Sequence, residues 1–404
     1  MGSNNPLPDS SSSSLILTQP TDKEKFQCWV LNGQSWRGAL PTEAYYRREA
    51  HLASQPLTAN GGLSYWILVD SNEPKDSEKP RRILSACETI RKRAFITSKG
   101  GTVEEIIAHG VGSVFCNPDF RGRGYARRMM KELGKHLESW QQEGGKKTKF
   151  TEFYGRAGWK PFPSAHISLP PFSPETHSPT QSSPSSLPKT TPLHASDIPT
   201  LCKLDEQYLK NRIADFSSSK SAHTRVALIP DALTIHWMHA REEFVAQETL
   251  NRDPLVKGAM VNRSPGKRVW AIWTRTFGGD KASNILHILR LVIEGEDDIT
   301  PSEASGDPSA GQHAIKAAAA VLQAAQHEAQ DWDMGSVEVW NPTRVVVEAC
   351  GVLEEEGGKT VELVDREMSS VCCLMWYGDA EGKGKGNGGE GGVEWVGNEK
   401  FAWC

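Results

Sequence analysis

The spacing of hydrophobic positions changes repeatedly along the chain, and the changes predict a succession of strands and helices. Short segments in which apolar residues alternate with polar ones, or run together, are typical of strands. In the first half they lie at 15–17, 65–69, 83–96 and 104–117. Helical patterns are clearest where Met129, Leu133 and Leu137 recur at three- and four-residue spacing. The helices predicted in this half lie at 20–31, 42–53, 124–142 and 150–157, and an extended tail at 159–169.

A segment without apolar periodicity interrupts this pattern. Residues 170–192 are dense in Ser, Pro and Thr and cannot bury a core, so we expect a linker there. Beyond it the predicted strands lie at 225–229, 268–275, 284–294, 336–340, 361–364 and 371–376, of which the last two are expected to pair. The predicted helices lie at 197–214, 232–249, 313–331 and 342–350. This order echoes the first half and predicts a second, degenerate copy of the same architecture.

The patterns divide the chain into four regions. The polar start, residues 1–13, is predicted to be disordered. A first domain is expected at 14–169 and a second at 193–404, on either side of the linker at 170–192. The 404 residues are enough for two ordinary domains.

Composition narrows the classes of function. The formal net charge of -4 argues against a general nucleic-acid binder. No apolar run approaches the roughly 18 residues of a membrane-spanning helix. The eight cysteines are scattered without a C-x-x-C pair, so neither a zinc site nor any other metal site is expected. Reduced thiols and a cytoplasmic location are the expectation.

The most informative stretch joins the strand at 104–117 to the helix at 124–142. It reads Arg121-Gly122-Arg123-Gly124-Tyr125-Ala126. Gly122 and Gly124 allow backbone conformations that are closed to other residues. Their N–H groups, together with those of the helix start and its dipole, can point at one anion. With the surrounding arginines, this pattern predicts a cradle for a pyrophosphate.

Two other phosphate-binding motifs do not fit this stretch. A nucleotide P-loop requires G-x-x-x-x-G-K-[ST], and a dinucleotide fingerprint requires a third glycine where this chain has Arg127. The arrangement R-x-x-G-x-A, after an apolar strand and the turn Asn117-Pro118, resembles the acyl-CoA signature of GNAT acetyltransferases. The alternative is a tight strand-to-helix turn with exposed arginines.

A second element agrees with that resemblance. The segment Phe153-Tyr154-Gly155-Arg156-Ala157-Gly158-Trp159 is similar to the F-Y-x-x-x-G-[FW] element of GNAT enzymes. The resemblance implies that Tyr154 lies near the CoA sulfur and returns a proton to the leaving thiolate. A phenol with pKa near ~10 is a reasonable acid for a thiolate whose thiol has pKa near ~8.5. The alternative role for Tyr154 is packing a helix onto the sheet.

The resemblance also implies direct transfer from the thioester to a neutral amine. The residues expected to contact the co-substrate are Val114, Phe115, Cys116, Arg121, Gly122, Arg123, Gly124, Tyr125 and Ala126. A backbone N–H near Phe115 or Cys116 would polarise the thioester carbonyl, because the strand is expected to splay there. Glu104 or Glu105 is the hypothetical base, acting through water. A solvated strand edge is the alternative for both glutamates.

The resemblance extends to the fungal lysine N6-acetyltransferases, which start lysine degradation. The segments that carry it are Leu15–Thr18, Trp36–Leu40, Cys87–Ala94, the glycine motif and Phe153–Pro163. It implies an α/β (α+β) fold: a GNAT-like mixed, mostly antiparallel sheet with flanking helices, followed by a second GNAT-like domain. The implied donor is acetyl-CoA, and the implied acceptor is the side-chain amine of free L-lysine.

One feature departs from the family pattern. Only about a dozen residues separate the predicted helix end near Gln142 from Tyr154, so the fifth strand of a GNAT domain is expected to be missing or reduced to two or three residues. We hypothesise a gene model that lost an exon. Two other functions remain open at this point: a protein or peptide N-acetyltransferase, and a catalytically impaired GNAT-fold binding protein.

Overall fold

The structure is a computed structural model in which two sheets contain most of the strands. It describes residues 6–76, 79–97, 102–142, 146, 148–153, 159–162, 164–173, 186–218, 224–295, 308–355, 361–366, 371–377 and 393–403. None of the helices in these ranges is long and apolar enough to cross a membrane.

The predicted glycine motif follows a strand of the first sheet. Its strands from the first half are β1 (Leu15–Thr18), β2 (Leu63–Asp70), β3 (Ser85–Thr97), β4 (Val103–Cys116), β5 (Thr148–Phe153) and β6 (Lys160–Pro161). Neighbours along the chain from β1 to β4 pair antiparallel, whereas β4 and β5 are parallel. The mixed, mostly antiparallel sheet that the resemblance implied is therefore confirmed.

The second sheet has the same kind of order. Its strands are β7 (Ala165–Leu169), β8 (Thr191–Leu193), β10 (Gly258–Val261), β11 (Val269–Thr276), β12 (Ile285–Ile293), β13 (Ser336–Trp340) and β14 (Glu362–Asp365). They are arranged β14-β7-β13-β12-β11-β10-β8, with β12 and β13 parallel. The remaining strands, β9 (Thr224–Leu228), β15 (Cys373–Trp376) and β16 (Val393–Trp395), join the first sheet.

Seven helices flank these sheets in the described ranges. They are α1 (Asp22–Trp36), α2 (Thr42–Ala53), α3 (Tyr125–Leu137), α4 (Ile198–Ser218), α5 (Ala232–Leu250), α6 (Pro308–Asp331) and α7 (Arg344–Glu355). A capping box of Thr21 and Glu24 begins α1. The apolar repeat of α3 buries Met129, Leu133 and Leu137 in one core with strand residues of the first sheet.

The two halves exchange strands. β15 pairs with β5 and β6 in the first sheet, and β9 pairs with β3. β7, which we predicted as a tail of the first domain, pairs with β13 in the second sheet. The strands therefore change sheets before residue 170. The expected pairing of 361–364 with 371–376 is wrong, because β14 pairs with β7 and β15 with β5.

The fifth strand of the first half is present. β5 has six residues and pairs with Ile107–Gly110 of β4. The helix predicted at 150–157 is therefore wrong over 150–153, and the remainder of that segment lies outside the described residues. With β5 in place, the missing strand no longer supports a lost exon.

The N-terminal segment also differs from its prediction. Residues 6–13 were expected to be disordered, but Leu7 packs against the core beneath α3. The hydroxyl of Tyr125 donates a hydrogen bond to the carbonyl oxygen of Pro8 at 2.5 Å. This segment therefore lies beside the start of α3.

Candidate functional site

The predicted splay of β4 follows from its register with β5. The parallel pairing of the two strands ends at Gly110 and Glu152 within the described residues. Beyond Gly110, β4 keeps its pairing with β3 and is interrupted by a bulge where Cys87 has no single partner. Ser113 in this bulge has a φ of 51°. We call the part of β4 beyond Gly110, which pairs with no described residue on its β5 side, the first wedge.

The glycine motif follows directly at the end of β4. Gly122 and Gly124 have φ values of 77° and 84°, in the left-handed region that favours glycine. A side chain at Gly122 would meet no atom within 4 Å, so this backbone is open to a ligand. Gly124 is the N-cap of α3, which places the free N–H groups of the first helical turn at the same point.

The arginines around the loop fall into two groups. Arg121 folds back onto the end of β4, where its Nε donates to the carbonyl oxygen of Cys116 at 3.2 Å. Its guanidinium also lies 5.4 Å from the ring centroid of Phe115. Arg123 and Arg127 are exposed. The loop therefore keeps positive charge on its solvent side, and its backbone and charge fit a diphosphate.

The N-terminal segment borders this loop. The carbonyl oxygen of Ser10 accepts a hydrogen bond from Nη1 of Arg128 at 3.0 Å. A Cβ added at Gly124 would lie 3.0 Å from Oγ of Ser10. Of the other expected contact residues, Val114 and Cys116 are half-buried at the end of β4, whereas Phe115 and Tyr125 are buried. Ala126 follows in the first turn of α3.

The structure does not bring Glu104 and Glu105 to this loop. Both lie at the start of β4, a 14-residue strand whose other end leads into the glycine motif. At about 3.3 Å per residue they are roughly 35–40 Å from Cys116, the last residue of that strand. Glu105 is also ion-paired with Arg93 and Lys146, and its hydrogen bond with Arg93 is the main cause that lowers its pKa to about 2. The role of the two glutamates as bases stays a prediction, and the structure places both at the end of β4 that is far from the glycine motif. Tyr154 lies outside the described residues, so its acid role stays a prediction.

A small pocket opens on the other side of the bulge. Its volume is about 110 Å³, and strand residues Tyr65, Glu88 and Ser113 form one wall. The remaining wall residues come from the end of α1, from α2 and from α5, and include Trp36, Tyr45, Arg48, Glu49, Trp237 and Arg241. Because α5 belongs to the second half of the chain, both halves enclose the pocket.

Glu88 is the carboxylate of this pocket that faces the bulge. Its Oε1 accepts a hydrogen bond from the Ser113 hydroxyl at 2.6 Å. No ion pair of Glu88 occurs in the described part of the chain. Burial raises the pKa of Glu88 to about 7, and the neighbouring charge of Glu49 adds to the effect. A carboxyl with this pKa is half-ionised near neutral pH and is suited to proton transfer.

Sequence reasoning missed Glu88, although a signal was present. Glu88 stands between apolar neighbours within β3, where a charged residue is costly unless it has a role. Its closeness to Ser113 depends on the register of β3 with β4 and on the bulge. A single sequence does not specify either feature, so the residue pattern alone could not identify Glu88 as a candidate.

The second half contains a matching wedge between β12 and β13. Their parallel pairing ends at Ile288 and Val339, and a bulge in β12 follows directly. Here the chain itself occupies the gap: the N–H of Leu291 donates to Oε2 of Glu399 at 2.9 Å. Glu399 also forms an ion pair with Arg290. We call this gap the second wedge.

No group of three or more metal-ligating side chains lies together in the part of the chain that the structure describes. The ionisable groups near the first wedge are therefore candidates for acid–base and binding roles.

Comparisons with known proteins agree with this architecture. Residues 166–404 match the family model described as the LYC1 GNAT-like C-terminal domain, which confirms the GNAT-like second half. The fold is similar to that of the N-myristoyltransferase of Saccharomyces cerevisiae solved with myristoyl-CoA and inhibitors. That likeness has a TM-score of 0.50 at 11% identity and covers 92% of this chain and 82% of the other, and it concerns the fold alone.

Two curated proteins are similar in sequence over shorter stretches. An uncharacterized protein of Saccharomyces cerevisiae is 27% identical over 127 residues, which is 27% of this chain and 32% of that protein. A lysine acetyltransferase of Yarrowia lipolytica is 27% identical over 99 residues, which is 24% of this chain and 23% of that protein. The matches thus span between about a quarter and a third of the length of these relatives.

Proposed function

The chain belongs to the family defined by the LYC1 GNAT-like C-terminal domain, and on that premise we propose that it is an acetyl-CoA-dependent N-acetyltransferase. The proposed acceptor is a small primary amine, with the side-chain amine of free L-lysine as first choice. The observation that carries the proposal is Glu88, a carboxylate with a pKa of about 7 in a small pocket beside the bulge of β4. The glycine loop borders the same bulge from the other side.

The donor site fits the co-substrate by its backbone. In the proposed complex, the amides of Gly122, Gly124 and the first turn of α3 hold the diphosphate of acetyl-CoA. The amides of β4 beyond Gly110 lie beside the thioester carbonyl and polarise it. Acetyl-CoA supplies the thioester carbon that the amine attacks and the thiolate that leaves. The resemblance assigns Tyr154 to the protonation of that thiolate.

Glu88 has the role of general base in this proposal. A lysine side-chain amine has a pKa near ~10.4 and is protonated at neutral pH, so one proton must leave before it can attack. The carboxylate of Glu88 accepts that proton, while the Ser113 hydroxyl fixes the orientation of the carboxylate.

The size of the pocket favours the leading function over its alternatives. A protein or peptide N-acetyltransferase requires an open groove, whereas this pocket has a volume of about 110 Å³ and is lined by Trp237 and Arg241 of α5 as well as by residues of the first half. An impaired GNAT-fold binding protein was favoured by a missing fifth strand, and β5 removes that reason. The seven described cysteines have no disulfide, which is compatible with the cytoplasmic location that we also propose.

A thiol-release assay with a panel of acceptors tests the proposal. The purified chain is mixed with acetyl-CoA and with L-lysine, other amino acids, polyamines or a lysine-containing peptide. We expect CoA release with L-lysine and a product acetylated on the side-chain nitrogen, identified by mass spectrometry. Faster release with the peptide would favour the protein-modifying alternative. Absence of acetyl-CoA binding would contradict the enzyme altogether.

A further inference from the structure

The charged side chains of the pocket differ in whether they have a hydrogen-bond or ion-pair partner. Arg48 donates to Oε1 of Glu49 through Nη2 at 2.6 Å and to the carbonyl oxygen of Trp36 at 3.4 Å. Arg48 and Glu49 therefore largely satisfy one another. Arg241 lines the same pocket from α5, and it has no hydrogen bond or ion pair with any residue that the structure describes. A buried guanidinium without a partner is costly unless a ligand supplies one.

The surroundings of Arg241 call for an anion. Burial is the main cause that lowers the pKa of Arg241 to about 10, and the neighbouring charge of Arg48 contributes to the same shift, yet the group stays cationic at neutral pH. The charges of Glu49 and Glu88 act in the opposite direction and favour the cationic form. Arg241 thus supplies positive charge on the α5 side of the pocket, while Glu88 faces the bulge in β4.

From this arrangement we infer that Arg241 binds the carboxylate of the proposed amino-acid acceptor and is the residue that selects this acceptor over a simple amine. The inference rests on the proposed function and deepens it. The planar guanidinium binds a carboxylate through two parallel hydrogen bonds, which fixes the acceptor's position as well as holding it. The acceptor then extends from Arg241 toward Glu88, where its side-chain amine gives up a proton. The second half of the chain thereby determines specificity.

Two acceptors and two variants test this inference. L-lysine is compared with 1,5-diaminopentane, which keeps both amines but lacks the carboxylate. In the wild type we expect a KM for L-lysine about 10- to 100-fold below that for the diamine. Arg241→Gln should raise the KM for L-lysine by a similar factor and change kcat by less than about three-fold. The kinetics of the diamine should stay nearly unchanged in this variant.

Arg241→Lys provides the conservative comparison. It keeps the positive charge but loses the two-pronged geometry, so we expect a smaller rise in the KM for L-lysine than Arg241→Gln causes. Arg47→Gln is the matched control, because Arg47 also joins α2 and α5, through an ion pair with Glu248 that lies outside the pocket. It should leave both acceptors unaffected. Melting temperature and acetyl-CoA affinity of each variant report on folding.

The possible outcomes distinguish a failure of the inference from a failure of the proposed function. If the wild type turns over L-lysine and the diamine with equal KM, or if Arg241→Gln weakens both acceptors alike, Arg241 does not read the carboxylate. The proposed function would survive that result. If no amine is turned over and calorimetry detects no L-lysine binding, both the function and the inference are overturned.

Discussion

The first and second wedges begin in the same way and are filled differently. In each, a parallel strand pair separates next to a bulge, between β4 and β5 and between β12 and β13. The glycine loop with two left-handed glycines follows the first wedge. In the second, the carboxylate of Glu399 accepts a hydrogen bond from the backbone N–H of Leu291, and Phe401 and Ala402 are buried nearby. The chain's own carboxylate takes this position in the second wedge, whereas we propose that acetyl-CoA takes it in the first.

The difference shows what a slot needs besides a splayed strand pair. Exposed amides at a bulge attract any acceptor, and the chain's own carboxylate satisfies them as well as a ligand does. A slot stays available only where the following loop is open and no segment of the chain reaches it. The predictions below contrast the two wedges on this basis, in order of decreasing effect.

The largest effect is expected from Glu88→Gln at the first wedge. Removal of the base should lower kcat about 10²- to 10⁴-fold while the affinity for acetyl-CoA is maintained. Wild-type kcat should rise with pH through about 7, since the ionised form of Glu88 is the active one. Steady-state kinetics across pH test both points. Glu104→Gln is the control, and a comparable loss in that variant would restore the base first considered.

At the second wedge, Glu399→Gln should affect stability and leave catalysis intact. Arg290 would lose one of its carboxylate partners in a buried position, at a cost of about 3–5 kcal/mol. Chemical unfolding measures the loss. Glu394→Gln is the control, because its ion pair with Arg225 is partly exposed. Calorimetry should find one acetyl-CoA per chain in all three proteins; a second site in the variant would show that Glu399 blocks a latent slot.

A smaller effect is expected from alanine at the glycine that follows each wedge. Gly124→Ala places a Cβ in a left-handed conformation and 3.0 Å from Oγ of Ser10, which should weaken acetyl-CoA about ten-fold. Gly295→Ala meets the carbonyl oxygen of Gly266 at 2.9 Å and should lower the melting temperature. We expect it to leave acetyl-CoA affinity unchanged. If both variants weakened acetyl-CoA binding equally, the assignment of the first wedge to binding and of the second wedge to packing would be wrong.

The last prediction concerns the pH dependence of stability and stands outside this order. The folded state raises the pKa of Glu88 from 4.5 to about 7, so it binds a proton that the unfolded chain has lost. Stability should therefore fall as pH rises through this interval, by up to about 3 kcal/mol. Glu88→Gln should remove this slope in urea unfolding. A variant curve parallel to the wild type would mean that Glu88 is normally solvated.

The sequence predicted the elements whose signals are local. The helix at 42–53 has the predicted bounds, and β3 and β4 lie within two residues of theirs. The glycine motif lies between β4 and α3 as expected, because left-handed turns require glycine whatever the rest of the fold does. Local chemistry specifies these features.

The elements that depend on distant partners were not predicted correctly. β5 forms between β4 and β15, and its second neighbour is supplied by the far end of the chain. Its own residues gave too weak a strand signal. Glu88 and Arg241 meet in one pocket only because β3, α2 and α5 pack together. The hydrophobic periodicity of a single sequence gives no information about contacts between such distant segments.

The exchange of strands between the halves has a consequence for biosynthesis. A ribosome adds about 5–20 residues per second, and early domains generally fold while later ones are still being made. The outer edge of β5 is covered only after β15 has been synthesised, and the edge of β3 that pairs with β9 is covered only after β9 has been synthesised. The nascent first sheet thus carries bare strand edges through much of translation, and we expect chaperones that shield such edges to determine the yield of active protein.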